Sequence, residues 1–187
     1  MNWFKSAIVI AMAVVLTGCT NHHVNFDQFP GGAQVTPWTG GSMAVTEPWV
    51  ITTQYAPVGV ASFSSNGRDG VFVLIDNSTA SPPNTACPIG IPFGASNATG
   101  PTTVTLSQST SNVWVTIPAS YSPVTVTALD SNGAQLRSEA SNGPNATASP
   151  TGRRVRVNVS GIRSVLIDSV AAGGIYCIDD FTWQEQW

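Results

Sequence analysis

Apolar and polar residues alternate with a period of two along most of the chain beyond residue 23. This period places successive side chains on opposite faces of a β-strand, and β-branched and aromatic residues dominate the alternating runs. Turn-forming pairs such as Asn66-Gly67 and Asp69-Gly70 separate them. The clearest runs are Val24–Phe29, Val71–Ile75, Thr103–Leu106, Val113–Ile117, Val124–Leu129, Arg154–Val159, Ser164–Ile167 and Ile175–Trp183.

This pattern predicts an all-β protein, folded as a two-sheet antiparallel β-sandwich. The chain has 187 residues, enough for one domain with a sizeable core but not for two. Good helix formers are scarce after the first twenty residues, which excludes a helical bundle. The segment from Asn77 to Gly100 is the longest poorly patterned stretch, and we expect it to be a long loop or an insertion, pinned by a disulfide at Cys87 and a candidate rim for a binding site.

The first nineteen residues have the pattern of a secretory signal. Lys5 supplies a charge, and the apolar run Ala7 to Leu16 is too short to remain as a membrane-spanning helix. The sequence Leu16-Thr17-Gly18-Cys19 then resembles the lipobox of bacterial lipoproteins, whose cysteine is acylated and becomes the mature N-terminus. An ordinary cleaved signal followed by a chance cysteine is the alternative.

The lipobox resemblance implies a signal peptide at residues 1–18, a lipidated tether at 19–23 and one sandwich domain at 24–187. Acyl chains such as palmitate on Cys19 would anchor the protein to a membrane, because each buried methylene contributes about 0.8 kcal/mol. The expected location is the bacterial cell envelope. Thr20, the residue after the cysteine, favours the outer membrane by analogy with known lipoproteins.

The two remaining cysteines, Cys87 and Cys177, form an even pair in an exported chain. Disulfides persist under the oxidising conditions outside the cytoplasm, so we predict that the two are bonded. A buried reduced pair or a redox centre is the alternative, although the chain has no CxxC spacing.

Charge and motif content argue against several functions. The net charge is −3, so no basic field attracts nucleic acid, and removal of residues 1–18 leaves six arginines against ten acidic residues. The only histidines, His22 and His23, fall in the expected tether. The chain has no GxSxG, HExxH, Walker or dinucleotide motif, so we expect a protein that is not an enzyme. A glycan hydrolase remains a weaker alternative, because spacing alone cannot exclude a carboxylate pair.

Five short segments follow one another in the order Phe26-Asp27, Ile51 to Phe63, Val124 to Gly133, Ile162 to Ile167 and Tyr176 to Phe181. Their order resembles a broad group of exported bacterial jelly-roll domains, common in PEP-CTERM proteins and similar to galactose-binding-like carbohydrate modules. The resemblance covers nearly the whole mature chain. It implies a jelly roll that binds a polysaccharide or another surface ligand.

The same resemblance implies a structural calcium ion between the first and last strands. Its candidate ligands are Asp27, Asp179 and Asp180, completed by backbone carbonyls. Because side chains alternate along a strand, we expect only one of Asp179 and Asp180 to point into the site. Solvated charges at the strand end are the alternative.

Candidate ligand contacts are aromatic and cationic. Trp38 and Trp49 lie in Gly-, Pro- and Thr-rich sequence, where an exposed indole could stack on a sugar ring. Arg154 and Arg156 could bind an anionic glycan or a lipid A phosphate, although a solvated sheet face is the alternative that we favour for the arginines. Two further tryptophans, Trp114 and Trp183, alternate with apolar neighbours, and we assign them to the core.

We therefore expect a lipid-anchored envelope protein with a noncatalytic binding domain. The main rival is a structural or assembly lipoprotein that docks another envelope protein.

Overall fold

The computed structural model describes residues 20–39, 46–75, 84–89, 100–118, 120, 122–141, 153–172 and 174–185. Within these ranges the chain is built from antiparallel β-strands and one short 3-10 helix, Ala56–Val58. The strands are β1 (Thr20–Val24), β2 (Val50–Ile51), β3 (Val60–Ser65), β4 (Arg68–Asp69), β5 (Val71–Ile75), β6 (Asn84–Pro88), β7 (Thr102–Ile117), β8 (Val124–Leu129), β9 (Gln135–Ala140), β10 (Arg153–Ser169) and β11 (Asp179–Glu185).

The described strands form two sheets. The larger has the order β1-β11-β7-β10-β8-β9, with β3 also paired to β7 and β4 paired to β3. The smaller has the order β2-β5-β6. One hydrophobic core joins them, since Ile51 and Val71 of the smaller sheet pack in the same cluster as Val113 and Val165 of the larger. The predicted all-β antiparallel sandwich is confirmed.

Strands β7 and β10 form a long two-stranded ribbon through the larger sheet. Residues 102–105 of β7 pair with 164–167 of β10 and with β3, whereas residues 110–117 pair with the start of β10 and with β11. The register shifts between Asn158 and Ser164, where Gly161 has a φ of +86°. Such bulges bend a strand, so the two halves of the ribbon meet different neighbours. The sequence predicts two shorter strands in place of each long one.

The turn between β3 and β4 follows the sequence signal. Asn66 and Gly67 have φ values of 53° and 70°, and Ser65 pairs with Arg68 across the turn. Two positive φ angles are typical of the type I′ turn, whose twist matches that of the flanking strands.

Tyr176 carries a polar group into the core. Its ring is 1% exposed, and its hydroxyl lies 2.7 Å from the carbonyl oxygen of Ile167, 2.9 Å from that of Gly100 and 3.0 Å from Oγ1 of Thr102. These contacts replace the hydrogen bonds to water that the hydroxyl group loses when it is buried. Burial also raises the pKa of the phenol. The contacts also connect three separate segments of the chain.

The predicted disulfide is confirmed. Cys87 of β6 is bonded to Cys177, with Cα atoms 4.3 Å apart and a sequence separation of 90 residues. Cys87 belongs to a second apolar cluster with Val50, Phe72 and Ile89, on the face of the smaller sheet that points away from the main core. The disulfide therefore ties the smaller sheet to the segment that leads into β11.

Two sequence predictions about local structure are wrong. The expected tether, residues 20–23, is part of β1, which pairs with β11 from Thr20↔Glu185 to Val24↔Phe181. The sequence pattern does not indicate this strand, because most of its residues are polar. Its two histidines contact acidic residues of β11. The strand predicted over Val24–Phe29 ends at Val24.

The expected loop from Asn77 to Gly100 contains β6. All five residues of this strand are buried, but Asn84, Thr85 and Pro88 interrupt the apolar run that is typical of a strand buried on both faces. Residues 76–83 and 90–99 lie outside the described ranges.

Within the described residues, no helix is long and apolar enough to cross a membrane. The expected signal peptide and lipidation site, Cys19, lie outside those residues.

Candidate functional site

The outer side of strands β1, β11, β7 and the first part of β10 brings several predicted residues together. Alternation along these strands turns Val113, Val115, Val155 and Val157 into the core, so the residues between them point outward. We call the outward surface the polar face. Its residues are His23, Asn112, Trp114, Arg154, Arg156, Asp180, Thr182 and Gln184.

The strand register arranges the polar face in rows. Arg156 lies opposite Trp114, which lies opposite Thr182, which lies opposite His23. Adjacent strands are about 4.8 Å apart, so a row across four strands spans about 14 Å. The surface is broad enough to contact several units of an extended polymer.

Trp114 lies near the middle of the polar face and is partly exposed. The guanidinium carbon of Arg156 is 5.7 Å from the centre of its ring. This arrangement is a cation–π contact, which orients both side chains. The sequence-based assignment of Trp114 to the core is wrong, whereas Trp183, at 1% exposure, is in the core as predicted.

A chain of polar contacts fixes Arg156 from its other side. Arg156 Nη2 donates to Asn112 Oδ1 at 2.9 Å, and Asn112 Nδ2 donates to Gln184 Oε1 at 3.0 Å. Asn112 is only 8% exposed, so it provides a rigid support. One guanidinium donor of Arg156 is used in this contact, which leaves donors for a bound molecule.

His23 and Asp180 form the opposite border of the polar face. His23 Nε2 lies 2.7 Å from Asp180 Oδ1. This hydrogen bond raises the pKa of His23 above 6.5, helped by the charges of Asp180 and Asp179, while burial and Arg154 act in the opposite direction. His23, like its neighbour His22, therefore belongs to the folded sheet and not to a tether.

Arg154 also points outward from β10 and is exposed. It lies opposite Thr116, one row from Trp114. Its charge reaches His23, whose pKa it lowers.

The three predicted calcium ligands lie near the β1–β11 pairing but differ in environment. Asp179 is fully buried, and its Oδ1 accepts the backbone N–H of Asp180 at 2.8 Å. Asp180 has a φ of 46° and points to the polar face. Asp27 Oδ1 accepts the backbone N–H of Asn84 at 3.0 Å.

Burial and the charge of Asp180 raise the pKa of Asp27, while the hydrogen bond from Asn84 lowers it. In the described part of the chain, no group of three or more His, Cys, Asp or Glu side chains is placed to hold a metal ion. A calcium ion held by the three aspartates would use backbone carbonyls and water as further ligands.

Trp38 and Trp49 lie elsewhere, on the outer face of the smaller sheet. Both indoles are partly buried against the apolar cluster around Val50 and Phe72. The ring of Trp38 meets that of Phe72 edge to face, with centroids 6.1 Å apart. This packing covers a large part of the surface of both indoles. The part that stays exposed is separate from the polar face.

Two open depressions border β1. One, of about 330 Å³, is lined by His23, Gln28 and Tyr55 among others. The other, of about 390 Å³, is lined by His22, Ser107 and Glu185 among others. His22 stacks on Trp183 with ring centroids 5.1 Å apart, and its Nε2 is 3.3 Å from Glu185 Oε2.

Comparison with known proteins gives little further information. No protein-family model matches the chain, and no curated protein matches it. A solved structure, the enzymatically active domain of tailspike protein 4 from bacteriophage CBA120, is similar with a TM-score of 0.39 and 15% identity. The similarity covers 66% of this chain and 19% of the tailspike chain.

Proposed function

We propose that this protein is a lipid-anchored component of the bacterial cell envelope whose β-sandwich is a noncatalytic polysaccharide-binding domain. The polar face is the proposed binding surface. Cys19 is the proposed attachment point for the lipid, with the outer membrane as the proposed location.

The observation that carries the proposal is the partly exposed indole of Trp114 at the centre of a broad polar surface. Sugar rings have apolar C–H faces that pack on an indole, and hydroxyl groups that pair with amides and guanidinium groups. Gln184 and Arg156 supply such groups next to the indole, and the buried Asn112 holds both of them through hydrogen bonds. The surface therefore combines both requirements for binding a glycan.

The test is a binding screen with the full-length protein in mild detergent against neutral and anionic polysaccharides. We expect Trp114→Ala to weaken binding about tenfold, because it removes the stacking platform. Trp38→Ala and Trp49→Ala are matched controls, since they remove indoles from the smaller sheet. Melting temperatures should confirm that each variant is folded.

The outcome distinguishes between two sites: the one around Trp38 and Trp49 that the sequence predicts, and the polar face around Trp114. Loss of binding in Trp114→Ala alone supports the polar face. Loss in Trp38→Ala or Trp49→Ala alone moves the site to the smaller sheet. Absence of glycan binding contradicts the proposal and favours the rival, a lipoprotein that docks another envelope protein. Release of reducing sugar during incubation would instead indicate a glycan hydrolase.

Lipid attachment has its own test. We expect cells grown with radiolabelled palmitate to incorporate label into the wild-type protein but not into Cys19→Ala. Equal labelling of both proteins would rule out Cys19 as the acylated residue.

A further inference from the structure

Two arginines of the polar face have no carboxylate partner in the described part of the chain. Arg154 and Arg156 are both exposed, and the ion pairs of the described residues involve His22, His23 and Arg137 instead. After removal of residues 1–18 the protein has ten acidic residues and six arginines. Two arginines left without an acid in such a chain are available to an external anion.

Arg137 has a carboxylate partner, whereas Arg163 binds a backbone carbonyl. Arg137 Nη2 lies 2.6 Å from Glu139 Oε1, a pair on the exposed strand β9. Arg163 donates to the carbonyl oxygen of Ser107. Arg137 therefore has an anion of its own, which makes it a useful control.

Arg156 is held ready for a ligand. Asn112 accepts from one side of its guanidinium and Trp114 lies under it, so little side-chain freedom remains to be lost on binding. A guanidinium has five N–H donors in a planar fork that matches a carboxylate or sulfate with two parallel hydrogen bonds. The contact with Asn112 uses only part of this capacity.

The spacing of the two arginines suits a polymer. They are two positions apart on the same side of β10, so their Cα atoms are separated by about 6.7 Å. Trp114 lies beside Arg156 on the neighbouring strand. A sugar ring over the indole would place acidic groups on the same or the next unit near both guanidinium groups.

We propose that the polar face binds an acidic polysaccharide, with Arg154 and Arg156 pairing with its carboxylate or sulfate groups while Trp114 stacks on a sugar ring. This inference rests on the proposed function, since it names the ligand class of the same surface.

The test compares polygalacturonate with its methyl-esterified form, which removes the charge but keeps the sugar backbone. Full-length wild-type protein in mild detergent is titrated with each polymer at low and high NaCl. We expect polygalacturonate to bind about tenfold more tightly at low salt, and high salt to reduce that difference by screening.

Variants locate the effect. Arg154→Gln and Arg156→Gln should each weaken polygalacturonate binding about tenfold and weaken binding of the esterified polymer by a smaller factor, because glutamine keeps a hydrogen-bond donor for sugar hydroxyl groups. Arg137→Gln is the matched control and should bind both polymers as the wild type does. Free galacturonate and inorganic phosphate serve as competitors, and stronger competition by phosphate would overturn the assignment to carboxylate or sulfate groups of a glycan.

Equal binding of the two polymers, lost in Trp114→Ala but retained in both arginine variants, would overturn the acidic ligand and leave the polysaccharide function intact. Failure of both polymers, and of the wider panel, to bind would overturn both. Unchanged melting temperatures in the arginine variants exclude unfolding as the cause.

Discussion

Trp114 and Trp183 show how the environment of one residue depends on its position across a strand. Both alternate with apolar residues in sequence. Trp183 is buried in the core, whereas Trp114 points outward between Val113 and Val115, which are both buried. Three consecutive apolar residues do not reveal which of them faces out. The two flanking β-branched residues were the available signal, because they share a face that Trp114 cannot share.

The His23–Asp180 pair predicts a pH-dependent contribution to stability. The folded-state pKa of His23 is raised above 6.5, so the pair stabilises the fold fully below pH 6.5 and loses this contribution as pH rises through the raised value. We therefore expect His23→Gln to destabilise the protein more at pH 5.5 than at pH 8.5.

Urea unfolding of wild type and His23→Gln at both pH values measures this difference. Titrations of other groups largely cancel when the two proteins are compared at the same pH. A destabilisation that is the same at both values would contradict the prediction.

At the scale of the elements, β5 and β8 were predicted with the bounds observed. Apolar residues occur without interruption in β5 and at every second position in most of β8. Strands β1 and β6 escaped prediction because neither has a regular apolar pattern: β1 is mostly polar, and the buried β6 contains Asn84, Thr85 and Pro88. Hydrophobicity indicates a strand when apolar and polar residues alternate, as in β8, or when the apolar run is continuous, as in β5.

The bulge in β10 gives an element-scale prediction. Gly161 has a φ of +86°, and a Cβ there would have its nearest non-neighbouring atom, in Leu136, 4.0 Å away. Gly161→Ala therefore changes backbone strain without a steric clash, and we expect it to cost about 1 to 2 kcal/mol of unfolding free energy.

Chemical denaturation measures this cost. Gly133→Ala is a suitable comparison, because Gly133 also has a positive φ and open space but lies in a hairpin turn. Gly161→Ala with wild-type stability would show that the bulge adopts another conformation.

Removal of the disulfide should lower the free energy of unfolding more than the glycine substitution does. Cross-linking across 90 residues stabilises a fold by about 4 to 5 kcal/mol in the chain-entropy model. The double variant Cys87→Ala, Cys177→Ala should lose stability of this order, as measured by chemical denaturation under oxidising conditions.

Reduced wild-type protein is the control for the alanine substitutions. It should unfold at nearly the same denaturant concentration as the double variant. A double variant as stable as oxidised wild type would contradict the prediction.

For the whole molecule, the sequence predicted the fold class and the disulfide, and it named Arg154, Arg156 and Asp180 as site residues. It did not predict that they share a surface with Trp114, because this depends on the register between β7, β10 and β11. Register is set by long-range pairing, which period and turn signals leave open.

Calcium binding remains a prediction for the whole molecule, since its ligands would come from β11 and from the segment after β1. Burial and, to a smaller extent, the charge of Asp180 raise the pKa of Asp27, and a cation near both carboxylates would offset both effects. We expect millimolar calcium to raise the melting temperature, and Asp27→Asn to reduce this shift.

Differential scanning calorimetry with calcium, magnesium or chelator is the measurement. A ligand at a hundred times its Kd would stabilise the fold by about 2.7 kcal/mol. A melting temperature that is the same in calcium and in chelator would show that no calcium site exists.

The pairing of β1 with β11 begins at Thr20, the residue next to the proposed lipidation site. If Cys19 carries the lipid, no flexible linker separates the acyl chains from β1. The sandwich then cannot move or rotate freely relative to the bilayer. Mechanical load on the anchor would then pass straight into the backbone hydrogen bonds of β1 and into its two histidine–carboxylate contacts. Detachment under force would begin by stripping this edge strand from the sheet.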